Sequence, residues 1–215
     1  MNYGEIEAHN RVHIRENLQD LFDRAFLSGD NSKLREHYKA LRNIEFSRKL
    51  EKSNERINIS SLAENLTVAC DILTSETGVN FIFCGNDTPC ICGNGQLITK
   101  ALLNLFSNAY LHGKGRLVTV KVTGNNNYVK IQVKNEGAFK CEQYSKGLSF
   151  VNRVCLLSGG AFFVETDLFS TAAVMIVKKG SAGKCKDFSV PDFCEYLNDR
   201  LSPVYVEMFG MEYHS

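Results

Sequence analysis

Three polar residues recur one helical turn apart within an otherwise apolar stretch of the sequence, residues 97–113. Asn104, Asn108 and His112 follow one another at intervals of four residues, which places them along one flank of a helix. An asparagine carbonyl is an uncharged oxygen ligand, and Mg²⁺ accepts a few such ligands while it bridges substrate phosphates. The spacing is therefore compatible with a magnesium and phosphate site, and equally with two asparagines that only face solvent. The other flank carries an apolar stripe that predicts packing on a core: Leu97, Ile98, Ala101, Leu102, Leu105 and Ala109.

The charge balance favours neither a nucleic-acid partner nor an acidic membrane surface. Lys and Arg number 25 against 24 Asp and Glu, which leaves a formal charge of +1. No apolar run approaches the length that crosses a bilayer, and the polar start of the chain does not resemble a secretion signal. We therefore expect a cytoplasmic protein that does not insert into a membrane.

The cysteines, 8 in all, are scattered along the chain. Cys90 and Cys92 are closely spaced, but a Cys-x-Cys without a second pair or a nearby histidine is weak evidence for a metal. Cys70 and Cys155 lie in apolar helical patterns, where a small buried side chain is the expected role. We expect the set to be reduced thiols.

The first part of the chain, residues 5–55, predicts two amphipathic helices that form an antiparallel hairpin. A Gly, Asp, Asn and Ser cluster at 28–32 separates the helices, the second of which runs from about residue 33 to 54. A hairpin buries little surface by itself, so a four-helix bundle with a second copy, a homodimer, is expected. The alternative is that the hairpin folds back on its own C-terminal domain. The apolar side of the second helix carries Leu34, Tyr38, Leu41 and Ile44.

After residue 56 the pattern alternates between helices and strands, which predicts an α+β sandwich with helices on one face of a mixed sheet. From residue 180 onward a linker-like start is followed by an apolar tail, 180–215, which we expect to dock on the body or on a partner. The predicted helices span 62–73, 97–113, 146–158 and 190–201. The predicted strands span 57–59, 79–83, 117–123, 128–134, 161–165 and 172–177, and residues 85–95 are predicted as a loop.

The order of these elements resembles the histidine-kinase catalytic core of the GHKL ATPase superfamily over residues 6–178. The run Asn-Leu-Phe-Ser-Asn-Ala that begins at Asn104 is similar to the asparagine box of that family. The resemblance implies a GHKL (Bergerat) ATP-binding domain over 56–179, with ATP and Mg²⁺ as cofactors. It implies that Asn108 holds the metal, that Asn104 supports it, and that His112 contacts a phosphate.

A second segment resembles the first glycine box of the family, which usually ends in Asp-x-Gly-x-Gly. Here Asn135 stands in place of the aspartate that accepts a proton from the adenine amino group, and Gly137 follows it. An asparagine oxygen also accepts such a hydrogen bond, so the resemblance implies a weakened adenine contact at Asn135 and Gly137.

A third segment resembles the second glycine box, where a glycine turn opens a helix whose N-terminal amides face the phosphates. Gly147 and Leu148 match the box, whereas Ser145 replaces its first glycine. The resemblance implies cofactor contacts at Gly147 and Leu148. The span from Gly137 to Gly147 is shorter than the nucleotide lid typical of active kinases.

The hairpin resembles the phosphoacceptor and dimerisation domain of quorum-sensing receptor kinases and the sporulation phosphotransferase. An ungapped overlay on the acceptor motif of that branch places Val12 at the acceptor position, and a shift of one residue places His13 there. In that register Asn17 occupies the position of an amide that orients water for dephosphorylation, and Glu16 is the nearest proton acceptor. His9, one turn earlier, is the second acceptor candidate.

These resemblances predict a two-component signalling protein that transfers phosphate from Mg·ATP to His13 and then to an aspartate of a response-regulator receiver domain. The altered glycine boxes and the short lid favour an alternative, a pseudokinase or phosphotransferase scaffold that binds a receiver domain. A further alternative is an anti-sigma-type serine kinase or binder, suggested by the run from Asn108 to Gly113. Those proteins lack the two-helix front.

Overall fold

The computed structural model describes residues 31–47, 53–85, 89–113, 116–137, 145–180 and 185–209, together with Asp20, Arg24 and Leu27. The acceptor candidates His9 and His13, with Glu16 and Asn17, lie outside the described residues, as does most of the predicted first helix of the hairpin.

Helices and strands alternate along most of the described chain. The helices are α1 (Asn31–Ser47), α2 (Ile59–Thr74), α3 (Gly95–His112), α4 (Lys146–Leu157), α5 (Phe193–Asn198) and α6 (Pro203–Phe209). The strands are β1 (Glu55–Asn58), β2 (Asn80–Cys84), β3 (Cys90–Gly93), β4 (Leu117–Gly124), β5 (Tyr128–Glu136), β6 (Ala161–Thr166), β7 (Ser170–Lys178) and β8 (Lys186–Asp187). A short 3₁₀ turn, Ser75–Thr77, follows α2.

A 5-stranded sheet in the order β2-β4-β5-β7-β6 forms the centre of the fold. Strand β2 runs parallel to β4, whereas the β4–β5, β5–β7 and β6–β7 pairs are antiparallel, so the sheet is mixed. Alternate residues of β4 and β5 are buried, because successive side chains of a strand point to opposite faces. These apolar side chains share one core with α2, α3 and α4. The predicted α+β arrangement of helices on a mixed sheet is confirmed for the described residues.

A second sheet of 3 strands, in the order β3-β1-β8, was not predicted from the sequence. Its strand β3 lies within the segment 85–95, where the sequence predicts only a loop. The short β3 is antiparallel to β1, and β8 pairs with the other edge of β1 in parallel. A strand this short depends on partners distant in sequence, which a local pattern does not reveal.

The C-terminal segment forms two short helices where the sequence predicts one over 190–201. Helix α5 begins at a capping box made by Asp192 and Glu195, and α6 begins at Pro203, whose ring favours the first helical position. Helix α6 packs between α1 and α3, so the C-terminal segment lies on the body of the same chain.

Helix α1 directs its apolar side towards α6. Tyr38 is only 2% exposed, and its ring lies 6.3 Å from that of Tyr205 and 5.8 Å from that of Phe209. The Tyr38 hydroxyl donates to the main-chain oxygen of Arg200 at 3.0 Å. Leu34 and Leu41 pack in the same cluster. In the described part of α1, these apolar residues therefore contact the same chain. They are also the residues that the sequence predicts for the contact with a second copy.

Candidate functional site

The asparagines of α3 lie where the helix passes from the core towards the surface. Asn104 is buried, Asn108 is half-buried and His112 is exposed. Asn94 caps the helix by accepting from the amide of Leu97 at 3.1 Å. The predicted helical spacing of the polar residues is thus confirmed, and one turn separates a buried amide from one that reaches the surface.

The side chain of Asn104 leaves one polar atom without a hydrogen bond. Its Nδ2 donates to the main-chain oxygen of Lys100 at 2.8 Å, whereas its buried Oδ1 has no hydrogen-bond partner among the described residues. That Oδ1 lies against Gly147, and a methyl group added at Gly147 would clash with it. The contact therefore requires glycine at position 147 for steric reasons.

The side chain of Asn108 is oriented by the same turn of α3. Its Nδ2 donates to the main-chain oxygen of Asn104 at 2.5 Å, which leaves the Oδ1 as the atom that can accept or coordinate. An amide oxygen suits Mg²⁺, because this cation takes oxygen ligands and keeps part of its water shell. Asn108 therefore fits the role of a single protein ligand to a magnesium ion.

The N-terminus of α4 approaches the asparagine helix through Gly147. Ser145 caps α4, because its hydroxyl accepts from the amide of Leu148 at 3.3 Å and its main-chain oxygen accepts from Ser149 at 2.9 Å. The amides of Lys146 and Gly147 precede the first intrahelical bond and suit an anion. Ser145, which the resemblance aligns with the first glycine of the box, thus has a structural role as a helix cap. The side chain of Leu148 is buried in the core.

Asn135 ends the predicted adenine strand and lies close to the end of α3. Its Nδ2 donates to the main-chain oxygen of Glu136 at 3.1 Å, so the Oδ1 is left as an acceptor. A methyl group added at Gly113 would lie 3.4 Å from that Nδ2. Asn135 is 7% exposed and stands opposite Thr171 of β7, which is 6% exposed.

Gly137 links the ends of β5 and β7. Its φ of 102° is a conformation that residues with a Cβ rarely adopt. Its amide donates to the main-chain oxygen of Phe169 at 2.7 Å, and its own oxygen accepts from the Thr171 hydroxyl at 2.8 Å. The described contacts thus join Asn104 of α3 to Gly147 of α4, and Asn135 of β5 to the C-terminal end of α3 at Gly113.

A buried ionic cluster behind α3 was missed by the sequence analysis. Glu207 of α6 is 2% exposed, and its Oε1 lies 2.6 Å from an Nη of Arg42 and accepts from the Ser107 hydroxyl at 3.1 Å. Burial raises the pKa of Glu207, and the guanidinium of Arg42 and the Ser107 hydroxyl oppose that shift. Ser107 directly precedes Asn108, so the cluster holds the same turn of α3 that displays the candidate ligand. No local pattern signals the contact, because its members are distant in sequence.

The mixed sheet and the helices that cover it have the fold of solved histidine kinase catalytic domains. No family model and no curated protein matches the sequence. The histidine kinase AdeS of Acinetobacter baumannii superposes with a TM-score of 0.54 at 10% identity, over 84% of this chain and 87% of that one. The ATP binding domain of PrrB from Mycobacterium tuberculosis gives a TM-score of 0.51 at 21% identity, over 60% and 98% of the two chains.

Full-length ShkA, in a complex with AMPPNP, gives a TM-score of 0.58 at 17% identity, over 83% of this chain and 47% of that one. The resemblance that the sequence motifs indicated is therefore confirmed at the level of the fold. Within the residues described, no helix has both the length and the apolar character needed to cross a membrane.

Proposed function

We propose that this chain binds Mg·ATP at the end of the large sheet where α3, β5, β7 and the N-terminus of α4 meet. The observation that carries the proposal is the contact of the buried Oδ1 of Asn104 with Gly147. It joins the asparagine helix to the N-terminal amides of α4, so that a metal ligand and an anion-binding helix end lie side by side.

The magnesium ion and the phosphates each have matching groups in this arrangement. Asn108 would hold the magnesium ion, which neutralises charge on the phosphates when it is bound, and the amides of Lys146 and Gly147 would donate to phosphate oxygens. Asn104 acts as a positioning residue, because its contact with Gly147 leaves no room for a phosphate between the two residues. His112 is exposed at the end of the same helix and would contact a phosphate.

The Oδ1 of Asn135 would accept the hydrogen bond from the adenine amino group. Gly137 and Thr171 keep the ends of β5 and β7 together beside it. A neutral amide oxygen accepts a weaker hydrogen bond than a carboxylate does. We therefore infer a weaker nucleotide affinity than an aspartate at position 135 would give.

In the complete function that we propose, the chain is a cytoplasmic, histidine-kinase-like two-component protein. A neutral nitrogen of His13 attacks the γ-phosphorus, ADP leaves, and the phosphoryl group passes to an aspartate of a response-regulator receiver domain. Glu16 would accept the proton and Asn17 would orient water for dephosphorylation, with His9 as the second acceptor candidate. Residues 5–55 would form the homodimer and 56–179 the nucleotide-binding domain, with 180–215 as its docking tail.

A second candidate function, a phosphotransferase scaffold or pseudokinase, is favoured by the ionic cluster. Arg42 lies in the predicted hairpin, whereas Ser107 lies in the asparagine helix, and Glu207 contacts both. Phosphorylation of a hairpin histidine requires the nucleotide to approach that histidine. A buried contact that ties α1 to α3 restricts this approach, whereas it favours a fixed surface for a receiver domain.

Binding of Mg·ATP to the purified full chain, measured by titration calorimetry, tests the proposal. We expect a micromolar Kd that Asn108→Ala weakens about tenfold or more, because a ligand to the bound ion is lost. Asn126→Ala is the matched control, since Asn126 is an exposed asparagine in the β4–β5 turn. Absence of binding at millimolar Mg·ATP, or equal loss in both variants, would overturn the nucleotide site.

Incubation with γ-labelled ATP then separates the two candidate functions. Acid-labile phosphate that His13→Ala abolishes supports the kinase, and its transfer to a receiver domain supports the two-component role. Nucleotide binding without label in the folded protein supports the scaffold.

A further inference from the structure

The small three-stranded sheet brings together two cysteines that are far apart in the sequence. Cys92 lies in β3, Cys185 directly precedes β8, and their Sγ atoms are 2.7 Å apart across a sequence separation of 93 residues. The sulfurs of a disulfide are about 2.05 Å apart, so these two atoms lie only about 0.7 Å beyond bonding distance.

The surrounding main chain holds both cysteines in place. In the register of the sheet, Cys92 stands opposite Arg56 of β1, and Arg56 stands opposite Asp187 of β8 on its other edge. Gly180 passes close over Cys92, and a methyl group added at Gly180 would clash with the Cys92 sulfur. Cys185 also contacts the side-chain oxygen of Asn54 at 3.4 Å.

A metal site does not account for this thiol pair. Within the described ranges, no three side chains of His, Cys, Asp or Glu converge in a way that would hold an ion. Two sulfurs in contact without a third ligand suit a covalent bond between them.

We propose that Cys92 and Cys185 form a reversible disulfide that ties the C-terminal segment to the three-stranded sheet, with a peroxide as the oxidant and a small thiol as the reductant. This proposal does not rest on nucleotide binding.

The two cysteines have different parts in the reaction. Burial is the larger cause, and the hydrogen bond with Cys185 the smaller one, of a rise in the pKa of the Cys92 thiol to about 11. Cys92 is therefore mostly protonated near neutral pH. Gly180 lies against the Cys92 sulfur, whereas the contact of Cys185 with Asn54 is exposed, so Cys185 is assigned the first reaction. Its thiolate attacks one oxygen of hydrogen peroxide, the O–O bond breaks, and the other oxygen leaves as hydroxide and takes up a proton to become water.

The second step closes the bond. The sulfur of Cys92 attacks the sulfenic acid on Cys185, the S–S bond forms, and the S–O bond breaks. The departing hydroxide combines with the proton from Cys92 to give a second water. Two thiols and one peroxide thus give one disulfide and two waters, and a small dithiol restores the thiols by exchange.

Peptide mapping of the full chain provides the direct test. The reduced protein is treated with hydrogen peroxide, remaining thiols are alkylated, and the digest is analysed by mass spectrometry without reduction. We expect a peptide pair joined through Cys92 and Cys185, with a mass two hydrogens below the sum of its parts, that dithiothreitol separates. Linkage of Cys92 to Cys90 or to a second molecule, or alkylation of both thiols after oxidation, would overturn the proposal.

Serine variants assign the linked residues. Cys92→Ser and Cys185→Ser should each abolish the joined peptides, and Cys90→Ser should retain them. Cys194→Ser is the matched control, because Cys194 is an exposed cysteine of the same C-terminal segment, and it should also retain them. Joined peptides that persist in Cys92→Ser would refute the assignment.

Thermal unfolding tests whether the bond fits the native structure. Cross-linking across a long loop restricts the unfolded chain, so the oxidised protein should melt several degrees above the reduced protein. The difference should disappear in Cys92→Ser. An oxidised wild-type protein that melts at or below the temperature of the reduced protein would contradict the proposal.

Discussion

Arg42 of α1 and Glu207 of α6 form a salt bridge of 2.6 Å between side chains that are 20% and 2% exposed. The same carboxylate accepts from Ser107, so a single buried acid joins the predicted hairpin, the C-terminal segment and the asparagine helix. A buried pair of charges contributes little net stability relative to an apolar pair, but removal of one member leaves an uncompensated charge. We therefore expect the cluster to fix the position of α1 against α3.

Glu207→Ala should destabilise the protein by about 3 kcal/mol, because the Arg42 guanidinium then loses its buried partner. The free energy of unfolding from urea titration measures the effect. Glu165→Ala is the matched control, since Glu165 is exposed on β6 and its loss should cost less than about 0.5 kcal/mol. Equal losses in the two variants would show that the cluster does not hold α1.

Glu207 should also make stability depend on pH. Burial raises the pKa of its carboxyl above the ordinary value of 4.5, so the folded state keeps the proton that the unfolded state has already released. Its contribution to stability is present below pH 4.5 and is lost as the pH rises through the folded-state pKa. The stability of the wild type relative to Glu207→Gln should therefore fall from pH 4 towards neutrality, as urea titrations across that range would measure. A difference that rises with pH would contradict this direction.

Gly147→Ala should lower stability by about 1–3 kcal/mol, because the added methyl group clashes with the Oδ1 of Asn104. Thermal or urea unfolding provides the measurement. Gly93→Ala is the control, since a methyl group there would lie 3.9 Å from its nearest neighbours. In the Asn104→Ala background the cost of Gly147→Ala should shrink, because the clashing atom is gone. An unchanged cost there would show that Asn104 is not the cause.

Asn135→Asp should strengthen the binding of Mg·ATP several-fold, because a carboxylate accepts a stronger hydrogen bond from the adenine amino group. The gain should be absent for GTP, which carries an oxygen instead of that amino group. Titration calorimetry of the wild type and of Asn135→Asp, with ATP and with GTP, measures whether the affinity rises for ATP alone. Asn126→Asp adds the same charge at an exposed turn and should leave both affinities unchanged. A gain of equal size for GTP would argue against an adenine contact at Asn135.

Local periodicity was sufficient to predict most strands of the large sheet and the helices that cover it, but not the order of those strands. The alternation of Val118, Val120 and Val122 predicts a half-buried strand, because successive residues of a strand face opposite sides. The interval from Asn104 to Asn108 predicts a shared helical flank for the same geometric reason. The family motifs then allowed the fold to be identified from residues close together in the chain.

The remaining features arise from contacts between residues distant in sequence. Two contacts have no signature in the local sequence: Cys92 with Cys185, and Arg42 with Glu207. In each pair, the sequence around one residue does not indicate which distant residue it will contact. Strand β3 likewise exists through its pairing with β1. Residue spacing thus accounts for which side chains share a face of one element. The tertiary structure decides which elements meet, because a buried charge or thiol contacts its partner only when the whole chain has packed.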